Sequence, residues 1–221
     1  MITCITYDNL HRTGAAFADH FALRQRCFVD RQGYDVRTWR GREFDRYDTP
    51  ASIYLVYDAG GGRVLGASRL TPVSQGCMVR DLWPQMLADP AALDGDDVWE
   101  GTRFCVDKSL APWLRRRIAS ELVLAYFEVG LAAGVRRIVG VMQSMILRRV
   151  FADAGVACAP LGPVLPVDGQ RLQAAAMEIS RSHLMAVRDA LGVTRSVVRN
   201  PAAAEALRAE RRGPRIIGHV A

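Results

Sequence analysis

Residues 98–142, VWEGTRFCVDKSLAPWLRRRIASELVLAYFEVGLAAGVRRIVGVM, decide the fold class. Val98–Val106 alternates well enough for a strand, and Ala119–Ala133 is a strongly helical run that stops at Gly134. Arg137–Met142 is apolar enough for a buried strand. Working outward, Ser144–Ala154 reads as a helix stopped by Gly155, Val156–Leu161 as a strand, and Ser182–Leu191 as a helix. Leu172–Ile179 fits strand or helix, and the Arg/Ala-rich tail fits a helix or a loose segment. Towards the N-terminus, Ser52–Asp58 and Arg63–Thr71 form two strands joined by Ala59-Gly60-Gly61-Gly62, which supplies the positive φ of a tight hairpin. Cys77–Leu82 reads as a short strand, Trp83-Pro84 as a short helix start, and Asp89–Asp97 as a polar loop. Ile2–Tyr7 is a strand and Thr13–Asp30 a helix. This order predicts an α/β single-domain sandwich on one mixed sheet of about seven strands, not a doubly wound parallel sheet.

Between the first helix and the hairpin lies the segment Leu23–Asp48, LRQRCFVDRQGYDVRTWRGREFDRYD. Arg24 and Phe28 are four apart and share a helix face. The loop beyond Gly33 carries Tyr34, Trp39, Glu43, Phe44, Asp45, Tyr47 and Asp48. Carboxylates beside aromatic rings suit a cationic, partly apolar small molecule. The alternative is a solvated loop whose acids pair with Arg37, Arg40, Arg42 and Arg46.

The totals exclude several classes. The chain of 221 residues is half hydrophobic and carries a formal charge of +6, a balance compatible with an acidic partner or a phosphate-bearing molecule. Lys108 is the one lysine, so the basic excess is nearly all arginine, dispersed among acids without an aromatic-rich basic stripe; this argues against nucleic acid. Five cysteines (Cys4, Cys27, Cys77, Cys105, Cys158) and four histidines (His11, His20, His183, His219) lack metal or disulfide spacing, so no metal is expected. No Gly-Lys-Ser/Thr follows the glycines, which removes a Walker reading. Neither a signal peptide nor an apolar run long enough for a bilayer is present, and the expectation is a cytoplasmic protein with no membrane partner.

Three further features carry charge into the sheet. Glu100 and Arg103, three apart, face opposite sides of an ideal strand, and a bulge around Gly101 brings them together. Arg69 either pairs with a loop carboxylate or lies on the surface. The junction Val106–Arg117, rich in arginine before a long helix, is either an anion site for phosphates or an acidic carrier, or a solvated helix start.

With these residues placed, the chain resembles the acyl-homoserine-lactone synthases, the LuxI-type autoinducer synthases. The shared pattern is Arg-x3-Phe, an aromatic residue six positions on, Glu-x-Asp-x-x-Asp, a strand arginine, and Glu-x-x-Arg-Phe. Here it is carried by Arg24, Phe28, Tyr34, Glu43, Asp45, Asp48, Arg69, Glu100, Arg103 and Phe104. Trp83 falls where the family often has Phe, and Tyr34 stands where it usually has Trp.

The resemblance implies a fold similar to the Gcn5-related N-acetyltransferases: a three-layer sandwich with a mixed, mostly antiparallel sheet and a V-shaped split between Val98–Val106 and Arg137–Met142. It implies three parts of one domain: 1–50 with the N-terminal helix and S-adenosylmethionine loop, 51–106 with the hairpin and central strand, and 107–221 with the acyl-donor half and tail. The substrates implied are S-adenosyl-L-methionine and an acyl thioester on coenzyme A or acyl carrier protein, with no further cofactor. Arg103 and Glu100 are the expected catalytic pair. Arg24, Phe28, Tyr34, Asp45, Arg103 and Phe104 are expected around S-adenosylmethionine, with Glu43, Asp48 and Arg69 supporting them. Val139, Val141, Met142, Met145, Ile146 and Leu184 are the expected acyl pocket, although such positions also suit plain core. An acetyltransferase acting on another amine is the alternative, weakened because LAPWLRRRIA lacks a glycine-rich pyrophosphate signature.

Overall fold

The computed structural model describes residues 1–211. The end of the tail, with His219, lies outside the described residues. In chain order the elements are β1 (Ile2–Ile5), α1 (Leu10–Arg24), β2 (Thr38–Trp39), β3 (Arg42–Glu43), β4 (Ile53–Asp58), β5 (Val64–Pro72) and α2 (Met78–Leu82). There follow β6 (Val98–Val106), α3 (Pro112–Ala133), β7 (Arg137–Gln143), α4 (Ser144–Ile146), β8 (Ala159–Pro160), β9 (Leu165–Val167), β10 (Gln170–Glu178), α5 (Arg181–Leu191) and α6 (Pro201–Arg211).

One sheet carries the order β1-β4-β5-β6-β7-β10-β8, with β9 added on β10. Its strands pair antiparallel except β6 and β7, which run parallel. That one parallel pair encloses α3, the long crossover that two parallel neighbours require. The β6–β7 pairing covers only Val98, Trp99 and Glu100 against Arg137, Ile138 and Val139. From Gly101 outward the strands diverge, which is the split expected between these segments.

Alternation along the strands sorts the layers. On one face α1 covers Val56, Ala67 and Cys105. On the other, α3 buries Ile118, Leu122 and Phe127 against Leu55, Leu70, Trp99 and Ile138, with Val187 of α5 in the same cluster. A fully buried large apolar side chain of this kind stabilises the fold by about 1.5–3 kcal/mol. At the hairpin, Gly62 has φ +81, and a Cβ there would meet the Ala15 side chain at 2.5 Å, so the turn both needs the left-handed region and lies tight on α1.

Several local expectations change. Cys77–Leu82 is not a strand: α2 forms because Glu100 accepts the amides of Met78 (2.7 Å) and Val79 (2.8 Å), a partner remote in sequence. The loop after Gly33 contains its own small hairpin, β2–β3, turning at Arg40 and Gly41, both with positive φ. α1 begins three residues earlier than its apolar spacing suggests and continues from Gln25 to Asp30 as a wider π turn. The helix after β7 is also π-like over Leu147–Phe151, and Val156–Leu161 contributes only the two residues of β8. The ambiguous Leu172–Ile179 is strand, within β10.

Candidate functional site

The charged residues of the loop and of the sheet meet in one network beneath α1. Arg24 donates from Nε to Glu43 at 2.5 Å and from both terminal nitrogens to Asp48 at 2.8 and 2.9 Å. Arg69 donates to both oxygens of Asp45 (2.6 and 3.1 Å), to Asp48 (2.9 Å) and to the Thr102 hydroxyl (3.0 Å). Arg103 reaches Glu43 at 3.0 Å and Asp45 at 2.7 Å. Three guanidiniums thus balance three carboxylates in geometry that satisfies both ends of each pair. Burial opposes the charge of Asp48, but the hydrogen bonds and charge of Arg24 and the charge of Arg69 outweigh it and hold its carboxyl well below the usual range.

The network is not uniformly closed. Arg24, Glu43, Asp48 and Arg69 are 0–8% exposed, whereas Arg103 and Asp45 are each 15% exposed. Those two therefore form its open edge.

Arg103 reaches this face through a bulge. Ala67 pairs with Cys105 and Arg69 with Thr102, so Arg103 and Phe104 together oppose Ser68. Arg103 has φ +55, an uncommon value for a non-glycine residue. The extra residue turns Arg103 onto the face that already carries Glu100 and Thr102. The bulge expected at Gly101 thus occurs two residues later, with the outcome that it was invoked to explain.

Glu100 is buried, and burial raises its carboxyl above the usual value against the lowering effect of the Met78 and Val79 amides and of Arg69. It holds α2 in place, and α2 sets the Met78 sulfur 3.4 Å from Arg69 and 3.8 Å from Arg103. Met78, Thr102 and Tyr54, whose hydroxyl donates to Asp48 at 3.0 Å, did not stand out in the sequence. Nothing local distinguishes them from core residues.

The aromatic members divide. The Arg103 guanidinium lies over the Phe28 ring at 5.7 Å, and Phe28 and Tyr34 stack with planes 10° apart. Phe104 is placed on the other side of the sheet, against Tyr126 and Phe151, because alternation resumes after the bulge.

That opposite side holds an apolar cavity of about 290 Å³, open mouth included, at the split. Gly101, Tyr126, Met142, Phe151, Cys158 and Met177 are among its walls. Of the expected acyl pocket, Met142 lines it, and Val139 borders it from the strand while packing in the cluster on the Glu100 face. Val141 packs in a separate cluster with Trp83, Leu161 and Leu165, Met145 is exposed, Ile146 is half-buried away from it, and Leu184 packs on the core from α5. Strand alternation is the reason at Val141, and Met145 and Ile146 fall in the three-residue α4 directly past the end of β7. Gly140 matters here too, since a Cβ on it would stand 2.8 Å from the Gly101 carbonyl oxygen. It admits the close approach from which the strands part.

A sheet split at its centre, an apolar cavity on one face and a balanced ion network on the other define an acyltransferase of the N-acyltransferase fold. Residues 8–187 match the autoinducer synthase family. The acyl-homoserine-lactone synthase of Aeromonas salmonicida is 32% identical over 151 residues, spanning 67% of this chain and 72% of that protein. The isovaleryl-homoserine lactone synthase of Bradyrhizobium diazoefficiens is 30% identical over 196 residues, 87% of this chain and 86% of that one. The CoA-dependent acyl-homoserine lactone synthase BjaI, solved with S-adenosylmethionine and isopentyl-CoA, superposes with a TM-score of 0.79 at 29% identity, covering 93% and 99% of the two chains. A putative N-acetyltransferase from Lactobacillus plantarum, 19% identical over 81% and 99% of the chains with a TM-score of 0.55, shares the fold. The chain belongs to the autoinducer synthase family, and its activity is that of an acyl-homoserine-lactone synthase rather than of an acetyltransferase on another amine.

Among the described residues no helix is long and apolar enough to cross a membrane.

Proposed function

We propose that the open Arg103–Asp45 edge receives the amino-acid end of S-adenosyl-L-methionine, and that the split admits the acyl thioester. The observation that carries this reading is the 2.7 Å Arg103–Asp45 pair at the one exposed edge of an otherwise closed network. It holds a positive and a negative group where a zwitterion needs its complements. The substrate carboxylate takes Arg103, its ammonium takes Asp45, and the Phe28 and Tyr34 rings wall the sulfonium. Arg24, Glu43, Asp48 and Arg69 keep both arms in place.

The reaction then has two steps. The α-amine, made neutral when Glu100 takes its ammonium proton, attacks the thioester carbonyl carbon; the C–S bond breaks, and the thiolate leaves and takes up the second proton that the nitrogen loses. The carboxylate oxygen next attacks the γ-carbon of the same molecule. That C–S bond breaks with its electron pair going to the sulfonium sulfur, giving methylthioadenosine and closing the lactone. Proximity supplies most of the second step, since the sulfonium already activates the carbon. Glu100 is the base for the amine, acting through a water, because each of its oxygens already accepts a backbone amide. Backbone amides of β6 from Phe104 to Val106, left without a β7 partner, polarise the thioester carbonyl.

The donor is a compact acyl group on coenzyme A. In support, relatives of like extent are named for isovaleryl transfer and CoA dependence. The compartment is the cytoplasm, in keeping with five free cysteines. Incubation with S-adenosylmethionine and a panel of acyl-CoA and acyl-carrier donors, read by mass spectrometry, tests all of this. A short or branched N-acyl-homoserine lactone with equimolar methylthioadenosine is expected. Faster turnover of a long acyl-carrier donor would refute the donor assignment.

A further inference from the structure

Tyr34 does more than stand beside Phe28. Its hydroxyl donates to Gln170 Oε1 at 2.8 Å, across 136 positions of sequence, and Gln143 Nε2 donates to the same oxygen at 2.5 Å. Register places both glutamines. Val139 and Gln143 are four apart on β7, Leu172 pairs with Gln143, and Gln170 is two residues from Leu172 on β10. All therefore lie on the sheet face that also bears Glu100, since Glu100 pairs with Val139.

The two ends of the bond belong to opposite lips of the split. Tyr34 is tied to the α1 side: its amide donates to the Phe28 carbonyl at 2.9 Å, and its ring stacks on Phe28, over which Arg103 of β6 lies. Gln143 is the last residue of β7, and Gln170 opens β10 straight after the tight Asp168-Gly169 turn, where both residues have positive φ. β6 and β7 have no pairing beyond Glu100 and Val139. The hydrogen bond thus spans the open part of the V on the amine-donor face. It depends on a hydroxyl at position 34, which a tryptophan would not place there.

Resting on the functional reading above, we propose that Tyr34 is a positioning residue whose bond to Gln170 couples the two substrate halves. An acyl donor seated in the split sets the spacing of β7 and β10 against β6. Gln170 passes that setting to Tyr34, and the Tyr34–Phe28 wall passes it to the S-adenosylmethionine site beside Arg103. Coupling of this kind is reciprocal, so each substrate tightens the other by one factor.

Tyr34→Phe removes the hydroxyl and keeps the ring. Gln170 Oε1 retains its bond from Gln143, and the site is half-buried, so water reaches it and the fold is expected to hold. The measurement is S-adenosylmethionine affinity by calorimetry, without and with a saturating non-reactive thioether analogue of the acyl-CoA. The analogue should tighten binding in the wild type, and Tyr34→Phe should cut that enhancement about two- to tenfold, the range for one hydrogen bond. Gln170→Leu should do the same, and the double variant should lose no more than either single one. An unchanged enhancement in Tyr34→Phe, additive losses in the double variant, or no enhancement in the wild type overturns the coupling. Release of methylthioadenosine by the wild type separates the cases: its presence leaves the functional reading intact while the coupling falls, and its absence with every donor overturns both.

Discussion

Replacing Asp48 by Asn tests whether the ion network holds the fold as well as the site. Asp48 is the most shared acid of the six residues. It takes two hydrogen bonds from Arg24, one from Arg69 at 2.9 Å, one from Tyr54 and one from the Asp45 amide at 2.8 Å. Asn keeps the shape but turns one acceptor oxygen into a donor facing guanidinium donors. It also leaves three buried or half-buried arginines with two carboxylates. Removing one partner of a buried, hydrogen-bonded ion pair costs about 3–5 kcal/mol. At about 2–4 °C per kcal/mol for a chain of this size, the melting temperature should fall by about 6–20 °C. The pH dependence carries a second signature. The Asp48 carboxyl is held below its ordinary value, chiefly by Arg24 and Arg69 acting against burial. Its contribution is therefore complete above about pH 4 and lost as pH falls through its lowered folded value. The gap between wild type and variant should be full at pH 7 and narrow below about pH 4. Equilibrium urea unfolding at pH 7, with thermal melts stepped down in pH, reads both. A loss under about 1 kcal/mol at pH 7, the range of an exposed pair, would refute the claim that the network supports the fold.

Arg103→Ala should weaken S-adenosylmethionine binding about 10- to 150-fold, the worth of hydrogen bonds to a charged group, and stop methylthioadenosine release; unchanged calorimetric affinity counts against its carboxylate role. Glu100→Gln should abolish release and give up one of the two hydrogen bonds that hold α2, and normal turnover with a cognate donor would remove Glu100 as base. His20 is buried among Phe17, Phe21 and Tyr54, and burial together with Arg24 lowers its imidazole to about 3. A lowered imidazole stabilises above its ordinary 6.5 and is lost as pH falls from there towards 3. His20→Phe should accordingly flatten the melting-temperature slope between about pH 6.5 and 4, and an unaltered slope would show that another group carries it. Gly140→Ala places a methyl 2.8 Å from the Gly101 carbonyl, backbone against backbone. It should cost about 1–3 kcal/mol in urea unfolding and shift the preferred acyl donor; neither effect would argue against the close approach.

Periodicity alone was enough for most of the long strands, but it left β10 undecided and began α3 seven residues late. Val98–Val106 is β6 to the residue, and the hairpin strands β4 and β5 differ from expectation by one residue at their ends. The reason is that strand alternation and helix spacing report which faces are buried, and these elements are buried on long, regular faces. The family pattern likewise named all six members of the network, because an arginine inside a strand and acids in a loop are unusual enough to be counted one by one. Other features depend on partners far away in the chain. α2 is helical because Glu100 caps it from another strand. Phe104 faces away from the ion network because a bulge at Arg103 shifted the alternation by one. The apolar cavity at the split owes its walls to Tyr126, Phe151, Cys158 and Met177, four separate elements or turns whose residues look like ordinary core in isolation. What the sequence by itself determined was most of the long elements and the charges that must be reconciled inside them. Only the tertiary structure decided which two charges stay open to a substrate and which atoms join across the split. Those depend on register and on contacts between segments far apart in the chain, 136 positions at Tyr34–Gln170, and no local preference encodes them.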